Sequence, residues 1–259
     1  MMLLGRKIAK EIEDELRARA DKKSLLVIQV GSDEVSSLYV KKKKEFCQRI
    51  GVRFNLKQFS YDVTQFELIK FIKKANVDES IDGIIIQLPL PDNIDKNSVL
   101  LAISSDKDID GFRYILDKEY KHYPPTVLAI DRLIDHYALQ AKKTKVLIVG
   151  GGFLVGGPLC KYWLDQGIEV EILDKSDGEY FKKIKSAGLV VVSTGGRINL
   201  GSDNFAKNAV VIDASTVSES GSVKGDIDKT GWPENISLAP VPGGVGPLTV
   251  AMLVKNLYE

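Results

Sequence analysis

Lys145-Val146-Leu147-Ile148-Val149-Gly150-Gly151-Gly152-Phe153-Leu154-Val155-Gly156-Gly157-Pro158 joins a short apolar, β-branched run to a glycine-rich turn and then to a helical pattern. An apolar run of this length reads as a strand buried on both faces, residues 145–149, and helical periodicity resumes over 154–164. Glycines at a strand-to-helix turn let the backbone bend sharply and approach a pyrophosphate, which the helix N-terminus then stabilises. The spacing from Gly150 through Gly152 to Gly156 is one residue longer than the common dinucleotide fingerprint. Asp174 follows the next strand, residues 169–173, at the place where an acidic side chain can meet a ribose hydroxyl. A tight turn with no ligand would use the same glycines, so the motif alone leaves both readings open.

Working outward, a helix is expected over 180–186, strands over 189–193 and 209–213, and a helix over 248–257 opened by Val241-Pro242-Gly243-Gly244-Val245-Gly246-Pro247. Upstream, Ile8, Ile12 and Leu16 recur at helical spacing and predict a first helix over 6–19. A β-rich run at 25–30, a charged helix at 36–50 closed by Gly51, and a strand at 53–59 follow. Thr64 and Glu67 form a capping box ahead of an apolar-periodic segment. Residues 83–88 (GIIIQL) are a buried strand stopped by Pro89 and Pro91; a short helix at 98–103 and a loop at 106–112 come next. Tyr123-Pro124-Pro125 punctuates the chain before helical periodicity restarts over 127–137, and the domain junction is expected there. Strands separated by helices predict an α/β protein with a parallel sheet in each half.

The bulk composition narrows the function classes. With 259 residues the chain is one large domain or two smaller ones, big enough to need no metal or disulfide for stability. Thirty-six basic against 35 acidic residues leave a formal charge of +1, so no bulk field draws it to nucleic acid or an anionic membrane. No stretch approaches the roughly 20 apolar residues of a membrane helix. The apolar start before Arg6 is too short for a signal-peptide core, which predicts a cytoplasmic protein with Cys47 and Cys160 as reduced thiols.

Candidate chemistry in the first half centres on Ser36-Ser37-Leu38-Tyr39-Val40-Lys41-Lys42-Lys43-Lys44. At about 100° per residue, Lys43 lies within roughly 40° of Tyr39, and Ser36 lies within about 60° on the same side. The helix therefore presents Ser36, Tyr39 and Lys43 on one face, with Lys41, Lys42 and Lys44 pointing elsewhere. A lysine run is also what a solvated helix face or a polyanion-binding module would show. A Tyr-x-x-x-Lys pair occurs in short-chain dehydrogenases too, but there the glycine turn precedes the pair and here it follows. Gln87 is a polar residue at the C-terminal end of a buried strand, where open α/β sheets bind ligands, and it needs partners there. Asp106, Asp108 and Asp110 alternate, yet neither a calcium-loop pattern nor zinc-ligand spacing accompanies them, so no metal site is expected.

Val30–Val52, DGIIIQLPLP at 82–91, KDIDGF at 107–112, VGGGFLVGGP at 149–158, GDID at 225–228 and PVPGGVGPLTVAML at 240–253 run in one order across nearly the whole chain. Together they resemble the bifunctional methylenetetrahydrofolate dehydrogenase/cyclohydrolase family. The resemblance implies two α/β domains around a cleft, an N-terminal folate domain and a Rossmann-like dinucleotide-binding domain with a parallel sheet. The expected division is 1–125 plus the C-terminal helix 247–259, and 126–246. It further implies a homodimer that oxidises methylenetetrahydrofolate with a nicotinamide cofactor and hydrolyses the product to formyltetrahydrofolate, in one-carbon metabolism that feeds purine biosynthesis. Carried onto this chain, Lys43 is the catalytic lysine, Gln87 holds its ammonium, Tyr39 stacks on the pterin, Asp110 binds the pterin edge and Ser36 supports them. Gly243, Gly244 and Pro247 would form part of the pterin pocket wall. A catalytically silent dinucleotide sensor is the competing reading.

The cofactor residues implied are Gly150, Gly151, Gly152, Val155, Gly156, Asp174, Lys175, Ser176, Thr194, Gly195, Arg197 and Thr216. Here the chain departs from the family. Gly150-Gly151-Gly152 stands where Gly-Arg-Ser is common, Asp174-Lys175 stands for a His-Ser pair, and Pro124-Pro125-Thr126-Val127 stands for Pro-Cys-Thr-Pro. Losing the arginine removes the usual bidentate clamp on a 2′-phosphate, and Asp174 favours a free ribose hydroxyl. Lys175, Ser176 and Arg197 are the replacements that keep NADP as the expected cofactor, with NAD as the alternative.

Overall fold

The computed structural model describes all residues except 20, 33, 118, 141–143, 220 and 221, so Asp33 of the first family-like stretch lies outside the described residues. The chain divides into two compact units. The first comprises Lys10–Pro125 and Val250–Glu259, and the second comprises Met1–Ala9 and Thr126–Thr249. The sequence reading had put residues 1–9 and 247–249 with the first unit. They group with the second because Leu3 N–H donates to the Leu238 carbonyl at 2.8 Å, Met2 bridges to Leu238, and Arg6 N–H donates to Gly243 O at 3.4 Å.

The elements of the first half are α1 (Gly5–Arg17), β1 (Ser24–Val30), α2 (Glu34–Ile50), β2 (Arg53–Phe59), α3 (Gln65–Asn76), β3 (Gly83–Gln87), α4 (Lys96–Leu101) and α5 (Arg113–Leu116). β1 lies between β2 and β3 in a parallel three-stranded sheet. As the central strand it is buried along its whole length, which is why SLLVIQV carries apolar residues on both faces. The edge strand β2 is mostly exposed and correspondingly mixed in composition. Ile84, Ile85 and Ile86 of β3 are almost completely enclosed, each worth roughly 1.5–3 kcal/mol of apolar burial. The register aligns Gln58, Gln29 and Gln87 in one row across the sheet. The Thr64–Glu67 capping box is formed on both sides at the start of α3, and Ile8, Ile12 and Leu16 are the buried stripe of α1.

The second half contains α6 (Pro125–His136), β4 (Val146–Val149), α7 (Gly156–Asp165), β5 (Val170–Leu173), α8 (Tyr180–Ser186), β6 (Leu189–Val192), β7 (Val210–Asp213), β8 (Val217–Glu219), β9 (Ser222–Lys224), β10 (Ser237–Ala239) and α9 (Val245–Lys255). Five strands form one parallel sheet in the order β10-β7-β6-β4-β5. Leu147, Val149, Val190, Val192, Val211 and Leu238 fill its core. The antiparallel pairing of β8 with β9, the strand β10 and the single turn α5 were not anticipated from sequence. The helix after the glycine turn starts at Gly156 rather than at 154, and Leu154 is exposed on the turn before it.

Each sheet has one topological switch point. The chain leaves β1 for β2 on one side and returns to β3 on the other; likewise it leaves β4 for β5 and returns to β6. The crevices beyond the C-terminal ends of β1/β3 and β4/β6 are where such sheets bind ligands.

Candidate active site

The switch point of the first sheet is built from α2, the end of β3 and the loop after residue 105. α2 brings Ser36, Tyr39 and Lys43 to one side, and the exposed Lys41, Lys42 and Lys44 lie elsewhere on the helix. Lys43 Nζ donates to Gln87 Oε1 at 3.1 Å. Gln87 Nε2 donates to the Leu88 carbonyl at 2.9 Å, and Ser36 Oγ donates to the same carbonyl at 3.2 Å, so α2 and the end of β3 are tied through one backbone oxygen. The Leu88–Pro89 peptide is cis. Lys42 Nζ sits 5.3 Å from the centre of the Tyr39 ring, a cation–π contact worth about 0.5–1 kcal/mol at an exposed site.

Electrostatics set this cluster apart. Burial pushes the Lys43 ammonium below the usual lysine range, against the opposing pull of the Asp110 carboxylate. Burial likewise pushes Asp110 up, against the Lys43 charge. In both groups the loss of hydration outweighs the mutual attraction, which holds a base and an acid closer to neutrality than either is in water. Cys47, one turn beyond Lys43, is pushed up to about 12 by burial and stays a thiol.

Several supports of Asp110 escaped the sequence reading. Asp108 is buried and pushed up to about 6 by burial; its Oδ2 accepts from the Arg113 N–H at 2.8 Å, while its Oδ1 has no hydrogen-bond partner among the described residues. Arg113 braces the segment from behind, donating to the Ile103 and Leu101 carbonyls at 3.0 and 3.1 Å. Asn256 Nδ2 donates to the carbonyls of Ile109 and Tyr123 at 2.8 and 3.1 Å, so a residue near the far end of the chain fixes the residue before Asp110. Gln29, beside Gln87 in the register, donates to Ser37 Oγ at 3.4 Å. Asp108 lies in the family-like KDIDGF stretch, but no local motif signalled the supporting roles of Arg113, Asn256 or Gln29.

The switch point of the second sheet is lined by backbone. Gly150 adopts φ +95°, and a Cβ on Gly156 would lie 1.9 Å from the Gly150 carbonyl oxygen. Only glycine at 156 lets α7 start so close to the turn, and that approach aims the helix N-terminus at the crevice. A Cβ on Gly152 would meet none of the described residues within 4 Å, which leaves that side of the turn open among them. These features fit a dinucleotide pyrophosphate at residues 150–156, with Val155 as the residue before the helix. After β6, Thr194, Gly195, Gly196 and Arg197 form the opposing loop, with both glycines at positive φ. Thr216, also a candidate, is exposed after β7.

Asp174, Lys175 and Ser176 are exposed beyond β5. The Asp174 N–H donates to Asp177 Oδ2 at 2.6 Å. Lys175 Nζ donates to the Arg197 carbonyl at 3.0 Å, which brings two of the residues expected at a 2′-phosphate to one place. Gly243, Gly244 and Pro247 lie in the second unit, at the entry to α9. Gly243 takes φ +111°, and a Cβ on Gly5 would lie 2.2 Å from the Gly244 carbonyl oxygen, so this turn packs tightly against the start of α1.

Residues 3–110 match the family model described as tetrahydrofolate dehydrogenase/cyclohydrolase, catalytic domain, and residues 124–259 match that of the NAD(P)-binding domain of the same family. The bifunctional protein FolD of Aquifex aeolicus is 34% identical over 274 residues, covering 100% of this chain and 94% of the relative. The crystal structure of the bifunctional FolD enzyme of Campylobacter jejuni superposes with a TM-score of 0.90 at 31% identity, over 99% of this chain and 96% of the other. The Trypanosoma brucei enzyme, solved with NADP and an inhibitor, gives a TM-score of 0.88 at 25% identity over 100% and 96% of the two chains. With both halves matched, in order and over nearly full length, the chain belongs to the bifunctional tetrahydrofolate dehydrogenase/cyclohydrolase family.

Proposed function

We propose that Lys43 is the proton-handling residue of a cyclohydrolase step on methenyltetrahydrofolate, in a chain that first makes this cation by oxidising methylenetetrahydrofolate with NADP. The observation that carries the reading is the Lys43–Gln87 hydrogen bond at a sheet switch point beside the charge of Asp110. When water adds to the methenyl carbon, one of its protons is released; the second leaves the adduct's hydroxyl as the formyl carbonyl forms, while the ring nitrogen takes up a proton as its bond to that carbon breaks, so one proton is released in all. An amine lowered by burial gives up its proton more readily than a lysine in water, so it can take and return one during the reaction, and Gln87 holds it in place. Tyr39 supplies an aromatic face for the pterin, Asp110 accepts from its amino edge, and Ser36 keeps α2 and the end of β3 in register. Gly243, Gly244 and Pro247 belong to the same substrate reading through family resemblance.

When bound, the nicotinamide dinucleotide supplies the hydride acceptor for the oxidative step. The chain's task is to hold and orient it, with residues 150–156 at the pyrophosphate and residues 194–197 across the crevice. Lys175 and Arg197, brought together by their hydrogen bond, support a cationic 2′-phosphate site and hence NADP. Asp174, exposed beside them, favours NAD as the second reading. A homodimer located in the cytoplasm, serving purine synthesis, is the setting that family membership suggests. Among the described residues no helix is long and apolar enough to cross a membrane.

A folate-dependent absorbance assay with each cofactor tests both parts. Reduction of the cofactor only when methylenetetrahydrofolate is present is the expected result, and dinucleotide binding without turnover would favour a silent sensor. A kcat/KM preference for NAD of about tenfold or more, about 1.4 kcal/mol, would overturn NADP. Lys175→Ala should lose NADP use selectively.

A further inference from the structure

The loop after β6 hangs on one enclosed carboxylate. Asp226, in the GDID segment between β9 and β10, is 0% exposed. Its Oδ2 accepts from the Thr194 N–H at 3.1 Å, from Thr194 Oγ1 at 2.7 Å, and from Ser215 Oγ. Thr194 Oγ1 accepts in turn from the Arg197 N–H, and Ser215 Oγ accepts from the Gly195 N–H, each at 3.3 Å. The backbone N–H groups of residues 194, 195 and 197 thus reach Asp226 directly or through one hydroxyl.

The carboxylate is itself held in place by β7. Asp213, at the end of that strand, accepts from the N–H groups of Ser215 and Ile227, both at 3.1 Å. A Cβ on Gly225 would lie 1.9 Å from Asp213 Oδ2, so only glycine lets the chain bring Asp226 this close. Asp226 Oδ1 meanwhile is buried and has no hydrogen-bond partner among the described residues. An interior carboxylate oxygen left unpaired costs stability. Three donors converge on its other oxygen, and all of them serve one exposed loop.

We propose that Asp226 is a positioning residue for the dinucleotide, fixing the loop of residues 193–197 through Thr194 and Ser215 in the shape that closes one side of the binding crevice. The proposal rests on the reading that this loop meets the cofactor.

The test compares both reactions in the full-length chain. Cyclohydrolase turnover consumes no dinucleotide and reports the amount of folded enzyme. Asp226→Asn keeps the shape and removes the charge; the KM for dinucleotide should rise about tenfold or more, from weakened charge-assisted bonds. Dehydrogenase kcat at saturating dinucleotide should stay within a factor of about two. Ser215→Ala, which deletes one hydroxyl on the same carboxylate, should raise that KM about threefold and carries the test if Asp226→Asn does not fold. Gly195→Val acts on the loop without touching Asp226: it forces a side chain onto φ +70° and adds bulk where a Cβ meets none of the described residues within 4 Å. If Gly195→Val raises the KM while Asp226→Asn and Ser215→Ala leave it unchanged, the assignment of Asp226 is overturned and the loop reading stands. If none of the three raises it, the loop does not meet the dinucleotide and both readings fall. A proportional fall of both activities in Asp226→Asn and Ser215→Ala, with KM unchanged, marks Asp226 as structural only and also overturns the proposal.

Discussion

The two switch points share one topology and use opposite means. Beyond β1 and β3 the crevice is furnished with side chains: a lysine lowered and an aspartate raised by burial, and a glutamine between strand and helix. Beyond β4 and β6 it is furnished with main chain: glycines at 150, 195 and 196 in positive φ and a helix N-terminus admitted by Gly156. Under the proposed function the contrast follows from what each site would have to do. Moving a proton requires ionisable groups whose affinities are tuned by their surroundings. Holding a cofactor that brings its own reactivity requires close approach and fixed dipoles, which backbone provides without a titrating group.

The sharpest way to break this contrast is Lys43→Met. Cyclohydrolase turnover should fall about 10³-fold while dinucleotide binding is retained, and a surviving activity would remove the side-chain half of the argument. Gly156→Ala attacks the other half. Its Cβ would lie 1.9 Å from the Gly150 carbonyl oxygen, so dehydrogenase kcat/KM should fall about 10²-fold, with folding destabilised by roughly 1–3 kcal/mol. Unchanged dehydrogenase kinetics would mean that the tight turn is not a cradle. Asp110→Asn sharpens the electrostatic claim. The Asp110 charge raises the Lys43 pKa, so its removal should lower that pKa and move the Lys43 limb of the cyclohydrolase pH–rate profile toward acid, with turnover down about tenfold. A limb that stays put or moves toward alkali would show that the two groups do not communicate. Lys42→Met should change either activity by a factor of about two or less, since that side chain is exposed and what it loses is a weak cation–π contact with Tyr39.

What could be read from sequence divides along similar lines. The face of α2 bearing Ser36, Tyr39 and Lys43 follows from helical period alone, and Gln87 stands out as the one polar residue in an apolar strand. The glycine turn announces itself by composition. Asp226 sits in the family-like GDID stretch, yet its role and those of Asn256 and Arg113 do not show, because each acts on atoms that only the tertiary fold brings near: Asn256 reaches Ile109 across 147 positions. Strands β8, β9 and β10 are three residues each, too short for a period of two to show. The first nine residues were assigned by chain order, and their main-chain bonds to Leu238 and Gly243 carry no sequence signature.

The discontinuity of the first unit bears on how the protein is made. Its sheet and its Lys43 cluster are encoded by residue 125, yet Val250–Glu259 complete it, with Leu257 against Gly83 and Asn256 holding the loop before Asp110. Between Pro125 and Val250 a ribosome must add the intervening residues of the second unit, which at about 5–20 residues per second takes roughly 6–25 s. During that interval the nascent first unit lacks its closing helical segment and keeps apolar surface uncovered, the state that chaperones bind and proteases cut. A stop codon near position 250 would therefore do its damage about 140 residues upstream in sequence, in a region already translated without error.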